Sequence, residues 1–226
     1  MKILALDTTE QRCSVALSAD GDVRERHADQ PRRHAELLLP MVDDLLAEAG
    51  LTLQALDGIA FGRGPGSFTG VRIATAAAQG LALAADLPLA PVSSLLTLAA
   101  GAHRLTAGER FLVALDARKG ELYWAPLVME NGRPVFAGPE VVAAPDKVTA
   151  PSGGDWIGVG SGWAAHGDRL AERFKPQAVV PDLAPSARDL LDESARLLAA
   201  GAAVPPERAL PVYLRDQVAD PSASRS

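Results

Sequence analysis

Cysteine is almost absent. Cys13 is the only one in 226 residues, so neither an intramolecular disulfide nor a cysteine metal cage can form. A reducing cytoplasm is the expected compartment. Cys13 sits in an apolar run and no histidine pattern accompanies it, so it reads as a small apolar strand residue rather than a nucleophile. Histidine is scarce too. His27, His34, His103 and His166 show no ligand spacing and no His-Glu-x-x-His. No apolar run reaches the roughly 18 residues of a membrane span. The opening Met1-Lys2-Ile3-Leu4-Ala5-Leu6 meets Asp7 before it attains the length of a signal peptide core. An excess of basic charge is also missing: 22 basic against 28 acidic residues leave a net charge of −6. An autonomous nucleic-acid binder needs a basic stripe to neutralise phosphates. The densest basic stretch here, Arg24 to Arg33, is broken by Glu25, Asp29 and Pro31. Any nucleic acid is therefore expected to be held by a partner.

What is present is globular: 48% apolar and 22% charged residues. The chain is long enough for one large domain or two small ones. Its first stretch reads as a β-meander. Ile3 to Leu6 ends at Asp7, Cys13 to Leu17 follows, and Asp20-Gly21 marks a two-residue hairpin. A matching unit opens with Phe111 to Leu115, ends at Asp116, continues through Glu121 to Ala125, and turns at Asn131-Gly132. Leu6-Asp7 thus pairs with Leu115-Asp116, and Asp20-Gly21 with Asn131-Gly132. After each meander come alternating strands and helices. Helices are predicted over His34 to Ala49, Thr69 to Ala85, Trp163 to Phe174 and Ser186 to Ala200, and strands over Asp57 to Phe61, Leu89 to Val92 and Trp156 to Val159. Such alternation implies parallel pairing. A meander followed by α/β units, twice over, predicts an α/β, actin-like (ASKHA, ribonuclease H-like) duplicated fold with a mixed sheet in each half. The expected division is residues 1–106, residues 107–215 and a frayed tail over 216–226, with the join near Leu105 to Glu109.

The most distinctive segment is Gly62-Arg63-Gly64-Pro65-Gly66-Ser67-Phe68-Thr69-Gly70-Val71-Arg72-Ile73, set between a strand and a helix. No Lys-Ser or Lys-Thr follows the glycines, so it is not a Walker A loop. Pro65 stands where a nucleophile elbow needs glycine. A tight turn with a helix cap at Ser67 or Thr69 is the favoured reading, over an anion site at the helix start. This segment, together with "ILALDTT", "CSVAL", "VALDARKGELYWA" and "PVYLR", resembles the signature of the TsaB (YeaZ) family. The resemblance runs from the first residue to about Arg215.

That resemblance implies a non-catalytic subunit required for threonylcarbamoylation of adenosine 37 in tRNAs reading ANN codons. Its implied partners are the catalytic subunit TsaD, as a heterodimer, and TsaE, alongside the threonylcarbamoyl-AMP synthase; tRNA would be contacted only through the complex. ATP and a metal would belong to TsaD, with no cofactor held by this subunit. TsaD carries a metal-binding His-x-x-x-His, and the corresponding positions here are Ser94 and Leu98. Leucine has no ligating atom and serine is a poor ligand for a borderline metal. An autonomous actin-like ATPase and an inactive peptidase-like homologue are the alternatives. For a nucleotide site the candidates are Asp7, Asp116 and Gly160, the last within the glycine-rich Gly158 to Gly162. Thr8-Thr9-Glu10 lacks a glycine to nest a phosphate, and Glu10 and Glu121 would repel one.

The first two helices carry more apolar surface than one small domain needs. Leu38, Val42, Leu46 and Ala49 form one stripe, with Leu37, Met41 and Leu45 a second, and Pro40 is expected to kink the helix. The next helix is lined with small residues that allow close backbone approach. The resemblance implies that these helices meet TsaD, or a second copy of the chain in a competing homodimer. The expected interface is Leu37, Met41, Leu45, Val71, Ala74, Thr75, Ala78 and Ala82. Arg72 and Arg215 lie beside matched motifs without an assigned role.

Overall fold

The computed structural model describes residues 1–30 and 32–215; the tail expected over 216–226 lies outside them. The first sheet comprises β1 (Ile3–Asp7), β2 (Cys13–Ala19), β3 (Asp22–Ala28), β4 (Gly58–Gly62) and β5 (Leu89–Val92), in the order β3-β2-β1-β4-β5. The second comprises β6 (Arg110–Asp116), β7 (Leu122–Glu130), β8 (Arg133–Phe136), β10 (Ile157–Val159) and β11 (Ala178–Val180), in the order β8-β7-β6-β10-β11; the short β9 (Val141–Ala143) pairs with β7. Each sheet has an antiparallel meander on one side and two parallel strands on the other. The strand order is the same in both, which is the duplicated actin-like arrangement. The hairpin signals lie where the repeat put them. Asp20 and Gly21 have φ of 54° and 92°, and Asn131 and Gly132 have 52° and 76°, the left-handed pair that a two-residue hairpin requires.

Among the described residues five helices flank the sheets: α1 (His34–Ala49), α2 (Phe68–Ala85), α3 (Ser94–Thr106), α4 (Ser161–Phe174) and α5 (Leu191–Ala199). α1 runs on through Pro40, which lies on its exposed side, and ends at Gly50 in the left-handed region. One face of the first sheet, with Leu4, Leu6, Val15, Leu17, Ile59 and Phe61, is covered by Leu38, Val42, Leu45 and Leu46 of α1 and by Ala78 and Ala82 of α2. Each such large side chain removed from water contributes about 1.5–3 kcal/mol. The opposite face is lined by Ala5, Ala16, Ala60 and Ala90. Small residues there let α5 and the 3-10 turn at Ala187–Leu190 approach closely.

α3 was not expected from the sequence, although Ser93 caps it by accepting the Leu95 N–H at 3.2 Å. Its Leu95, Leu98, Ala99 and Ala102 pack on Phe111, Val113 and Leu127 of the second sheet. α4 covers the other face through Trp163 and Leu170. The helices therefore cross over. α3 follows the first sheet in the chain but packs on the second, whereas α5 follows the second sheet and packs on the first. Arg104 of α3 donates to both oxygens of the buried Asp189 carboxylate, in the 3-10 turn that leads into α5, at 2.8 and 3.1 Å.

Two glycines of α2 have opposite surroundings. A Cβ on Gly70 would collide with the Thr8 carbonyl oxygen, whereas one on Gly80 meets nothing within 4 Å. Gly70→Ala should lower unfolding free energy by about 2–4 kcal/mol, and Gly80→Ala should raise it by about 0.5–1 kcal/mol. Urea denaturation of both variants checks this.

Candidate functional site

The signature loop joins β4 to α2 and lies directly on the turn after β1. Gly62 faces Asp7 Oδ2, Gly66 faces the Thr9 carbonyl and Gly70 faces the Thr8 carbonyl, each too closely for a Cβ. The contact is stitched by hydrogen bonds. The Ser67 N–H donates to Thr9 O at 2.7 Å, and the Thr8 hydroxyl donates to Gly70 O at 2.6 Å. Ser67, not Thr69, caps α2: its Oγ accepts the Gly70 N–H at 3.4 Å. Gly66 and Gly70 thus allow backbone-to-backbone packing, and Gly62 makes room for the Asp7 carboxylate.

Asp7 is fully buried behind this loop. Its Oδ1 accepts the Thr9 N–H at 2.9 Å and the Thr9 hydroxyl at 2.8 Å. Its Oδ2 has no partner among the described residues. Burial raises the carboxyl to about 6, against the lowering effect of the Thr9 bonds. The Cys13 thiol, also buried, is pushed up to about 11, chiefly by desolvation.

A cleft of about 1030 Å³ separates the two domains. Glu10, Arg32, His34 and the 66–71 segment line one side; Asp116, Arg118, Lys119 and Ser161 line the other. Burial raises Glu10 to about 7, reinforced by Asp7 and Asp116 and opposed by Arg118. The Asp116 carboxylate is engaged within its own turn. It accepts the Arg118 N–H at 2.9 Å and lies 3.2 Å from the Arg118 guanidinium. Of the three candidate nucleotide residues only Asp116 faces the cleft. Asp7 lies behind the loop, and a Cβ on Gly160 would stand 2.5 Å from Ala114 O and 3.3 Å from Leu98. Glu121 is paired with Arg215 rather than left facing the cleft.

Ser94 and Leu98 both lie on α3 and are fully buried, and Ser94 Oγ has no partner among the described residues. Among those residues no group of three or more His, Cys, Asp and Glu side chains is brought together as a metal site.

The residues of the expected partner face differ in their exposure. Leu45, Val71, Ala74, Thr75, Ala78 and Ala82 are all buried in the chain's own core, because the small residues of α2 bring that helix close onto β4 and α1. Leu37 and Met41 are half-buried. The apolar groups that α1 and α2 present outward are Leu39 (47% exposed), Phe68 (51%) and Leu83 (70%), which sequence periodicity did not single out. Arg72 is part of this surface. Its guanidinium lies 3.3 Å from the Phe68 ring centroid and donates to the Tyr213 hydroxyl at 2.9 Å.

Asp7 and Glu10 bind protons more readily in the folded chain than their ordinary values of 3.8 and 4.5 allow. The folded state therefore holds more protons between about pH 4 and pH 7, and stability falls as pH rises through that window. Asp7→Asn mimics the protonated acid. It should match the parent at about pH 4 and exceed it by about 1–3 kcal/mol at about pH 7.5. Denaturant titration at both pH values is the check.

Comparison with known proteins extends this description. A family model described as "TsaD: tRNA N6-adenosine threonylcarbamoyltransferase" matches residues 28–220. The tRNA threonylcarbamoyladenosine biosynthesis protein TsaB of Escherichia coli (strain K12) is 44% identical over 223 residues, covering 97% of this chain and 96% of its own. The protein of the same name from Haemophilus influenzae is 41% identical over 175 residues, 74% of each chain. The solved structure of YeaZ from Pseudomonas aeruginosa superposes with a TM-score of 0.90 at 47% identity, covering 94% of this chain and 99% of that one. With near-complete coverage in both sequence and structure, the chain belongs to the TsaB (YeaZ) family, within the wider family that the TsaD model describes.

Proposed function

We propose that this chain serves the biosynthesis of threonylcarbamoyladenosine in tRNA as a non-catalytic subunit that binds and activates a TsaD catalytic subunit. The observation that carries the reading is 44% identity over nearly the whole chain to a protein named for that biosynthesis. Two features favour an accessory role. Ser94 and Leu98 stand buried on one helix where the resemblance expects a histidine pair, and neither side chain suits a metal. Neither candidate acid is left free for a phosphate: Asp7 is sealed behind the glycine loop, and Asp116, which faces the cleft, is engaged by Arg118. In this reading ATP and metal are held by TsaD and the tRNA by the complex. The chain contributes a docking face on α1 and α2, available to TsaD or to a second copy of itself. The net charge of −6 agrees with a subunit that does not grip RNA alone.

Reconstitution tests it: TsaD, TsaE, the threonylcarbamoyl-AMP synthase, ATP and tRNA should form the modified nucleoside only when this chain is added. Leu83→Arg, on the outward side of α2, should weaken capture of TsaD at least about tenfold while leaving the melting temperature of the isolated chain unchanged. Equal capture would place the docking face elsewhere.

A second reading, an ATPase in its own right, has the size of the cleft in its favour, since about 1030 Å³ would admit a nucleotide. It requires ATP-Mg to raise the melting temperature of the isolated chain. No shift at millimolar nucleotide is the outcome expected here; a clear shift would favour the ATPase.

A further inference from the structure

Residues 209–215 run back across both domains. On the first domain the segment is held along its length. Gln79 donates from Nε2 to Pro206 O and Ala209 O, both at 3.0 Å, and Ala209 is fully buried. The Val212 N–H donates to Arg63 O at 2.8 Å, and the Tyr213 hydroxyl accepts from Arg72 Nε. Two residues later the attachment changes domain. Arg215 Nη2 donates to Ala117 O at 3.1 Å and pairs with Glu121, both in the turn between β6 and β7. Val212, Tyr213 and Arg215 also line the cleft between these anchors.

Arg63 makes a second fastening. While its carbonyl holds Val212, its guanidinium donates to Glu140 at 3.1 Å. Glu140 belongs to the second domain, between β8 and β9, and also accepts the Ser93 hydroxyl. The Arg63–Glu140 pair is largely withdrawn from water, with side-chain exposures of 22% and 13%. An ion pair in that setting is screened less than an exposed one, and cutting one partner strands the other.

From these contacts we infer that residues 209–215 and Arg63 form a clasp that holds the two domains at a single cleft opening. The clasp resists the hinge motion that a two-domain fold with a central cleft otherwise permits. It acts within one chain and does not depend on TsaD, so its test uses the isolated full-length protein.

Asp43→Cys on α1 and Glu172→Cys on α4 place labels on exposed positions of the two domains, while the buried Cys13 thiol stays unlabelled. Electron–electron double resonance on the doubly labelled chain should give one narrow distance distribution. Arg215→Met should broaden it and speed amide exchange at Val212 by about tenfold. Arg63→Met and Glu140→Gln, which cut the second fastening from its two ends, should broaden it in the same way. Arg215→Lys, keeping a charged donor, should largely restore the parent distribution. The inference is overturned if the parent distribution is already broad, or if all three cutting variants leave distances and Val212 exchange unchanged. Far-UV circular dichroism confirms that each variant is folded.

Discussion

The contact on which most of this structure depends is the close approach of the signature loop to the turn after β1. The loop from Gly62 to Gly70 lies against the Asp7-Thr8-Thr9 turn so closely that side chains at Gly62, Gly66 or Gly70 would collide with it. Because the loop lies there, Ser67 can cap α2, and α2 then brings its alanines onto the first sheet. Arg63 is left pointing toward the second domain while its own N–H and carbonyl hold Val92 and Val212. Glycine is needed at these sites for the absence of a Cβ more than for unusual dihedrals, since of the three facing positions none has positive φ.

That contact also sets the electrostatics. It seals Asp7 from water, so the carboxyl holds its proton far above the ordinary range. Glu10, at the same turn but facing the cleft, is raised by its own burial and by the neighbouring acids. The exchange of α3 and α5 between sheets adds a second level of union. Each sheet buries one face beneath a helix supplied from the other half of the chain, and Arg104 of α3 is paired with Asp189 in the 3-10 turn that leads into α5. The two domains share their cores as well as a cleft.

How far the site was legible depended on whether a feature is local. The meanders, their hairpins and the parallel strands follow from patterns of a few residues, and the repeat of Asp7 at Asp116 exposed the duplication. The family motifs were equally legible because they are contiguous. Which faces of α1 and α2 point outward was not. A helix with two apolar stripes does not say which stripe its own domain takes, and α2 turned its smallest residues inward. Phe68, Leu39 and Leu83 were left outside. α3 was missed because its capping serine and its apolar positions at 95, 98, 99 and 102 sit in a stretch weighed only for the metal-ligand positions Ser94 and Leu98. Arg215 and Glu121 lie 94 residues apart, a separation at which no local pattern carries information.

By itself, then, the sequence determined the two meanders, the duplicated α/β topology, the single buried thiol and the family, because each is written in short-range periodicity or in contiguous motifs. Only the tertiary structure decided that Gly62, Gly66 and Gly70 lie against the Asp7-Thr8-Thr9 turn, that α3 and α5 change sheets, and that the carboxy-terminal segment ties one domain to the other. Those outcomes depend on which surfaces meet across long stretches of chain. Close packing of the whole molecule settles that, since a helix can bury only one face against a given sheet and the remaining faces must find partners elsewhere.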